Sequence, residues 1–310
     1  MTTFGPQVGQ VYVDPALTNI SIAYQNDTYM ADMVFPEIQV AKVSGFYWVY
    51  DKSKFVVADD KRAPSTRANR VDYGLTKTPY GPLIEHALEQ DIPDEVVDQA
   101  SAPLDPNIDA TENVTDRILL SKEVDAFTQC SNTAVITQNV TLSGASQWSQ
   151  YATSDPIGDV RTARDTVKKA VLKMPNRLLL GYEVLSILNN HPEIIERIKY
   201  SQLGVVTPEL LAEIFMIEEV WVADAEQNVA NEAQTADMEY VWGKNAWVFY
   251  INPAPAIRKV SFGYTFRRGP RQVERWDERW IKAQFVRVTD WYQQLIVAAP
   301  AAYFIKNAVA

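Results

Sequence analysis

The chain has 310 residues, of which 47% are hydrophobic and 22% charged, fractions that are typical of a globular protein with a large buried core. Its net charge of −10 argues against a protein that wraps around nucleic acid, since such proteins are normally basic. This charge does not exclude a container for nucleic acid, because confinement requires no strong attraction. The single cysteine, Cys130, cannot form an intrachain disulfide, and we expect it to be a buried small hydrophobe.

The sequence shows neither a targeting pattern nor a membrane-spanning pattern. No cationic segment precedes an apolar core at the start, so no signal peptide is predicted. The longest apolar run, 295–305, is interrupted by Pro300 and is shorter than the roughly 20 residues that a membrane-spanning helix needs. We therefore expect a soluble protein with no membrane partner.

Residues 1–40 are predicted to form an arm that packs against the rest of the protein. Prolines after Asp14 and Phe35 break the chain, and no sustained helical or strand period connects them. Apolar side chains such as Ile22 and Val34 need burial, which a free tail would not provide.

Residues 40–80 are predicted to form a long two-stranded ribbon. The first strand, 45–50, is rich in aromatic and β-branched residues, and 71–78 supplies the return strand. A polar tip at 59–65 separates the two strands. An isolated two-stranded ribbon is marginally stable in water, so we expect this one to lie on another surface.

Two Asp-Pro pairs predict the beginnings of long helices. Asp105 and Asp155 are suitable N-caps, and the proline that follows each is favoured in the first helical turn. The first helix is predicted to extend to about Cys130 and the second to about residue 174. The stretch 131–154 between them is rich in Ser, Thr, Asn and Gln, and it is the best candidate for a domain boundary.

The segment 175–224 predicts the order strand, helix, helix, helix, strand. An apolar run precedes a helix that ends near Asn189, and the His191-Pro192 pair begins the next helix. Thr207 is the predicted N-cap of the third helix, which leads into a strand at 220–222. Further strands are predicted at 240–242, 246–251, 261–266, 285–288, 294–298 and 303–305. Together with the helices, these strands indicate an α+β protein without internal repeats.

The residue patterns that would support catalysis or cofactor binding are missing. The two histidines, His86 and His191, have no neighbouring ligands at metal-binding spacing, so no metal site is predicted. His86 precedes an Ala-Leu pair that is predicted to be helical, and His191 is expected to cap or hydrogen-bond at a helix junction. There is no phosphate-binding glycine loop and no nucleophile elbow. We predict no catalytic residue and no cofactor, although a pair of acids that acts as general acid and base remains open.

Charge is segregated along the sequence. Residues 42–77 contain eight basic and four acidic residues, a net charge of +4, whereas 81–130 contain twelve acidic and two basic residues, a net charge of −10. Two solvated surfaces of chance composition would explain this pattern, and so would complementary surfaces on two copies of the chain. The candidate basic surface comprises Trp48, Lys52, Lys54, Lys61, Arg62, Arg67 and Arg70, and its acidic counterpart comprises Asp94, Glu95, Asp98, Asp109 and Glu112.

A second basic cluster lies near the C-terminus. Residues 256–287 contain nine basic and three acidic residues, with two tryptophans interleaved. Arg and Trp are enriched in the residues that dominate protein–protein interfaces, which favours an interface between copies. The alternatives are nucleic-acid binding through phosphates and bases, and a partly exposed hairpin of mixed composition. The candidate contact residues are Arg271, Arg275, Trp276, Arg279 and Trp280.

An ordered set of short motifs resembles the major capsid proteins of tailed bacteriophages across almost the whole chain. The set includes Asp14-Pro15, Pro175-Asn176 with its Leu-Leu-Leu-Gly run, Thr207-Pro208-Glu209, Val241-Trp242-Gly243 and Phe262-Gly263-Tyr264. The specificity of the resemblance lies in the order of these motifs. It implies the Hong Kong 97-type shell fold, which is an α+β capsid fold.

The resemblance also implies how the chain is divided. Residues 1–41 correspond to the N-terminal arm, and 42–82 correspond to an extended loop that reaches onto a neighbouring subunit. Residues 83–140 correspond to the first part of a peripheral domain with its long spine helix. The axial domain is expected at 141–272, and strands that return to the peripheral domain are expected at 273–310. The hairpin with Arg and Trp residues would then lie near three-fold contacts.

The function that the resemblance implies is structural and not enzymatic. Copies of the chain would form the hexamers and pentamers of an icosahedral phage head, which encloses double-stranded DNA without sequence specificity. The protein would belong to the virion capsid and would assemble in the cytoplasm of the bacterial host. Because the chain begins almost directly at the arm, a separate scaffolding protein is expected, besides a portal and, as a further candidate, a decoration protein. An encapsulin-like cellular nanocompartment is the nearest alternative, and a soluble α+β enzyme is the alternative from another class.

Overall fold

Two β-sheets and the helices packed on them organise the chain. The structure is a computed structural model, and it describes residues 12–15, 17–18, 21, 29–50, 57–62, 65–70, 74–100, 105–198, 206–230, 234–256 and 259–310. Helices and strands are mixed along these residues, as expected for an α+β protein.

The first sheet is built around one long strand, β14, that pairs with three others. Its strands are β1 (Tyr12–Val13), β2 (Glu37–Gln39), β5 (Ile84–Pro93), β12 (Gly263–Arg267), β13 (Gln272–Glu278) and β14 (Ala283–Ile296). Strand β14 is antiparallel to β5, β12 and β13, and β2 joins the sheet parallel to β12. The helix α3 (Pro106–Cys130) packs on β5 and β14 and buries Val114 and Ile118 against Val286 and Val288.

The second sheet has the order β6, β15, β11, β7, β8 and is buried on both faces. Its strands are β6 (Asn139–Thr141), β7 (Arg177–Gly181), β8 (Glu219–Ala223), β11 (Ala246–Phe249) and β15 (Ala302–Lys306). Because side chains alternate along a strand, Leu178 and Leu180 enter one apolar core while Leu179 enters another, where Trp247 stacks on Phe304. The continuous apolar run of β7 is therefore explained by burial on both sides.

Among the described residues, four helices surround the second sheet, and three of them begin where the sequence predicted. They are α4 (Pro156–Val171), α5 (Tyr182–Leu188), α6 (Pro192–Ile198) and α7 (Pro208–Phe215). The Asp155 carboxylate accepts the backbone N–H of Gly158 at 2.6 Å, and the Thr207 hydroxyl accepts the N–H of Leu210 at 3.4 Å. At the start of α3, Asp105 caps the backbone N–H of Asn107 at 3.0 Å. These hydrogen bonds confirm the three N-caps that the sequence predicts.

In the part of the chain that the structure describes, two further sheets have two strands each. Strands β3 (Gly45–Tyr50) and β4 (Leu75–Tyr80) form the predicted ribbon, and β9 (Glu226–Asn228) pairs with β10 (Met238–Tyr240). The ribbon is anchored at its base, where Tyr80 stacks on Phe266 of β12 with 4.6 Å between ring centroids. Two short helices also occur, α1 (Ala31–Val34) and α2 (Asp94–Gln99).

Three expectations about secondary structure differ from the structure. The segment after His86 is the strand β5 and not a helix. The two strands predicted at 285–288 and 294–298 are one continuous strand, β14. Val241 and Trp242, which were predicted to continue a strand at 240–242, are not in a strand, and β10 ends at Tyr240.

The two larger sheets also combine strands from different predicted segments of the chain. Strand β12 belongs to the first sheet, although 141–272 was grouped as one axial domain, and β15 belongs to the second sheet, although 273–310 was grouped as returning peripheral strands. The division into domains stays a prediction. Cys130 is buried, as expected. Within the described residues, no helix combines the length and the apolar character that a membrane crossing requires.

Candidate functional site

A buried cluster of charges fixes the segment that leads into the ribbon. Lys122 of α3 is buried and forms ion pairs with Asp32 and with Glu37, the latter at 3.1 Å. Arg267 of β12 binds the same Glu37 carboxylate at 2.6 Å, and it also pairs with the buried Asp290 of β14. Glu37 thus connects α3 to the first sheet at the point where the N-terminal segment passes between them.

The electrostatics of this cluster keep Glu37 ionised. Burial alone would raise the pKa of Glu37, but Lys122 and Arg267 bring it below its ordinary value of 4.5. Unpaired buried charges are costly, so the cluster is stable only while acids and bases balance. The arrangement positions the backbone segment that carries Asp32 and Glu37.

The ribbon presents its basic residues to solvent. Lys61, Arg62, Arg67 and Arg70 are all exposed, and within the described part of the chain none of them forms an ion pair. Asp59 organises the tip, because its carboxylate accepts the backbone N–H of Lys61 and its carbonyl accepts the Asn69 side chain at 2.9 Å. Trp48 is half-buried in β3, whereas Lys52 and Lys54 lie outside the described residues.

The predicted acidic surface borders a groove. Glu95, Asp98, Asp109 and Glu112 are exposed and Asp94 is half-buried, on α2 and the first turns of α3. Between them a groove of about 600 Å³ is lined by Ile92, Pro93, Val96 and Ala110 together with Asp91 and Asp109. The lining combines apolar side chains with two carboxylates and with amide side chains, which suits a segment that has both apolar and basic side chains.

The hairpin between β13 and β14 exposes an aromatic side chain at its tip. Trp280 is 99% exposed, whereas Trp276 stacks on Phe285 at 5.3 Å and is covered by the Arg287 guanidinium at 4.6 Å. Arg279 is exposed beside Trp280, and Arg275 donates a hydrogen bond to Gln284 at 2.8 Å.

Arg271 departs from the predicted set of surface contacts. It is buried, donates a hydrogen bond to the backbone carbonyl of Ser21 at 2.7 Å and lies 3.7 Å from Asp290. Its guanidinium is thus engaged inside the subunit, which makes it a structural residue and removes it from the candidate surface.

The two histidines and the cysteine have structural surroundings. His191 is buried and shares a hydrogen bond of 3.0 Å with the Ser154 hydroxyl, as expected for a residue at a helix junction. His86 stacks on Tyr292 at 4.0 Å. Burial lowers the pKa of both imidazoles and raises the pKa of the Cys130 thiol well above its ordinary value. In the part of the chain that the structure describes, no cluster of His, Cys, Asp and Glu is suited to a metal ion.

Comparison with known proteins gives one consistent result. Residues 134–257 match the family described as "Phage major capsid protein E". The chain is 31% identical over 306 residues to the major capsid protein of Burkholderia phage BcepMu, which covers 95% of this chain and 96% of that protein.

Two solved structures have folds similar to that of this chain. A phage-related protein from Bordetella bronchiseptica RB50 is 29% identical, with a TM-score of 0.76 over 96% of this chain and 97% of that one. The capsid structure of the cyanophage P-SCSP1u has a TM-score of 0.59 over 99% and 92% of the two chains. At 10% identity, the second likeness concerns the fold alone.

Proposed function

The chain belongs to the phage major capsid proteins and has their α+β fold of the Hong Kong 97 type, and from this membership we propose that it builds the hexamers and pentamers of an icosahedral head around double-stranded DNA. The observation that carries the proposal is the 31% identity to a phage capsid protein over 95% of the chain. The same relationship favours a phage head over an encapsulin-like nanocompartment and over a soluble enzyme. The proposed role is structural and includes no catalytic step.

The ribbon β3–β4 is proposed to lie on the groove of a neighbouring copy. The exposed bases Lys61 and Arg62 at its tip complement Asp109 and the other acids around the groove. Each exposed ion pair is worth only about 0–1 kcal/mol, so such contacts act mainly on the register and the rate of association. Many of them acting together in a closed shell would give a stable particle.

The hairpin tip with Trp280 is proposed as a further contact, near the three-fold axes of the shell. A fully exposed tryptophan beside Arg279 has the composition of an interface anchor. In the same proposal, α3 is the spine of a peripheral domain, and the second sheet with its helices is the main part of an axial domain.

The further partners follow from the same proposed role. A separate scaffolding protein, a portal and a decoration protein would act during or after assembly in the host cytoplasm, and the finished protein would be part of the virion. DNA would be held by confinement, because a subunit with a net charge of −10 does not attract a polyanion strongly.

The proposal is tested by purifying the full chain and examining it by gel filtration and negative-stain microscopy. We expect closed shells of megadalton size from the native sequence, whereas a protein that stays monomeric with its scaffolding protein present would contradict the proposed function. The double variant Lys61→Glu, Arg62→Glu should fold but assemble poorly. The variant Lys244→Glu, Lys306→Glu changes two other exposed bases and serves as the matched control. Normal shells from the Lys61, Arg62 variant would reject the ribbon contact and leave the shell itself in place.

A further inference from the structure

The hairpin β9–β10 has no core of its own. Of its described residues, 226–230 and 234–240, none is buried. Each strand has three residues, and the pair is attached mainly through Tyr240, which contacts Tyr182 at 5.2 Å between ring centroids, and through the hydrogen bond from the N–H of Val241 to the carbonyl of Ala225. An isolated two-stranded hairpin is marginally stable in water, so this one needs a surface to lie on.

The composition of the hairpin specifies the kind of surface it needs. The sequence from 224 to 240 carries five acids and no base. Two large apolar side chains are exposed among them, Val229 at 44% and Met238 at 56%. A matching surface would be basic and would offer apolar side chains of similar size.

The exposed face of α4 and the residues that follow it have this composition. The sequence from 156 to 174 carries five bases and two acids, and Lys168, Lys169 and Lys173 are exposed. Leu172 and Met174 are 50% and 47% exposed beside them.

The conformation of Leu172 adds to this argument. Leu172 ends α4 with a φ of 58°, in the left-handed region where Gly or Asn is normally found. The Leu172 N–H donates to the Lys168 carbonyl at 2.8 Å, so this backbone conformation ends the helix, while the half-exposed side chain is left available for a contact outside the subunit.

The two surfaces are separated within one subunit. Helix α4 packs against β11 and β15, whereas the hairpin leaves the second sheet after its edge strand β8, and β7 lies between β11 and β8. Among the described residues, no ion pair joins the acids of the hairpin to the bases of α4. A contact between these two surfaces would therefore join two copies of the chain. Because the two surfaces differ, such a contact would be head-to-tail and would generate a ring when the rotation closes.

We propose that the β9–β10 hairpin of one copy docks on the face formed by α4 and residues 172–174 of the next copy in the ring. Met238 and Val229 pack against Leu172 and Met174, and the surrounding acids face Lys168, Lys169 and Lys173. The inference rests on the proposed shell-forming function and names a contact within one ring of subunits.

The test is a charge swap in the full chain. Glu239→Lys and Lys169→Glu should each raise the subunit concentration at half-assembly about threefold or more, because each puts like charges at the contact. The double variant Glu239→Lys, Lys169→Glu should restore the subunit concentration at half-assembly that the native chain shows. Glu196→Lys reverses an exposed acid on α6 and serves as the matched control. The docking is rejected if the native chain forms shells and both single variants assemble as well as the native chain. It is also rejected if the double variant assembles as poorly as the single variants. In either case the shell-forming function stands. A native chain that forms no shell with its scaffolding protein present would reject the proposed function.

A second measurement covers the case in which a charge variant does not fold. In Leu172→Cys with Met238→Cys, the native thiol of Cys130 is buried, so the new thiols are the reactive ones. A short bis-maleimide should join these positions between copies in assembled particles and yield multimers in denaturing gels. Neither single variant should give the multimeric series, and a double variant that forms particles without multimers would overturn the proposal.

Discussion

The Glu123 carboxylate accepts the backbone N–H of Ala31 at 2.7 Å, inside the protein and 92 residues away along the chain. Its other oxygen accepts the N–H of Met30 at 2.8 Å and a hydrogen bond from the Trp242 indole. These backbone groups belong to the first turn of α1, whose N–H donors have no partner within the helix. Glu123 therefore caps a helix from a distance, and together with Lys122, its neighbour on α3, it secures the N-terminal segment.

Replacing Glu123 by Gln should destabilise the subunit. The amide keeps one acceptor oxygen but turns an NH₂ group toward buried donors, so at least one backbone N–H loses its partner. We expect the free energy of unfolding to fall by about 2–3 kcal/mol, the cost of such unsatisfied buried groups. Urea denaturation of the unassembled subunit measures this change. Glu112→Gln on the exposed face of α3 is the control, and an equal effect of both variants would contradict the capping role.

Glu37→Gln should have an effect that depends on pH. The folded-state pKa of Glu37 is lowered, because Lys122 and Arg267 outweigh the opposing effect of burial. The carboxylate therefore contributes stability that is fully present above the ordinary pKa of 4.5 and is lost as pH falls through the lower folded-state value. We expect the variant to be about 2 kcal/mol less stable than the native chain at pH 7.

The measurement for Glu37 is urea denaturation of both proteins at pH 7 and at several values below 4.5. The difference in unfolding free energy should shrink as the pH falls, because both proteins then carry an uncharged group at this position. A difference that stays constant over this range would mean that the ion pairs of Glu37 do not set its stabilising effect.

The sequence predicted correctly those helices and strands that are determined by residues close together in the chain. It identified the N-caps Asp105, Asp155 and Thr207 and the buried strand β7. An N-cap or a buried strand can be recognised from a few consecutive residues. Strand β5 was missed because His86-Ala87-Leu88-Glu89 contains good helix formers and mostly exposed side chains. Only its pairing with β14 makes it a strand.

The features that the sequence did not predict depend on contacts between residues far apart in the chain. Strand β14 was predicted as two pieces because Asp290 interrupts its apolar pattern, yet Arg267 neutralises this buried acid and the strand continues. Lys122 and Glu123 were overlooked for the same reason. Their hydrogen-bond partners lie 85 to 119 residues away, and no spacing rule reveals such pairs.

Tyr80→Ala should loosen the ribbon at its base. Tyr80 is buried and nearly parallel to the Phe266 ring at 4.6 Å, so its removal leaves a cavity that costs about 3 kcal/mol. Limited proteolysis under native conditions should then cut the ribbon faster, and assembly should become less efficient. Phe46→Ala removes an exposed ring from the same ribbon, and it should leave the cleavage rate unchanged. Equal rates for Tyr80→Ala and the native chain would show that the stack does not hold the ribbon.

Trp280→Ala should weaken assembly while leaving the stability of the subunit almost unchanged. Since Trp280 is almost fully exposed, its loss should change the free energy of unfolding by less than about 0.5 kcal/mol. If it is an interface anchor, the subunit concentration at half-assembly should rise about tenfold or more. Light scattering over a concentration series measures this value, with the exposed Val135→Ala as control. Unchanged assembly would remove Trp280 from the proposed contacts.

Salt should slow the early association of subunits. The bases at the ribbon tip are solvent-exposed, so their attraction to the acids around the groove of another copy is screened by ions. The screening length falls below about 8 Å once the ionic strength exceeds about 0.15 M, and we expect the initial rate of light scattering to decline above this point. In Lys61→Glu, Arg62→Glu the attraction is already lost, so its slower rate should depend weakly on salt or rise with it. A rate for the native chain that does not change with salt would mean that apolar contacts, and not the charged ribbon, direct the first encounters between subunits.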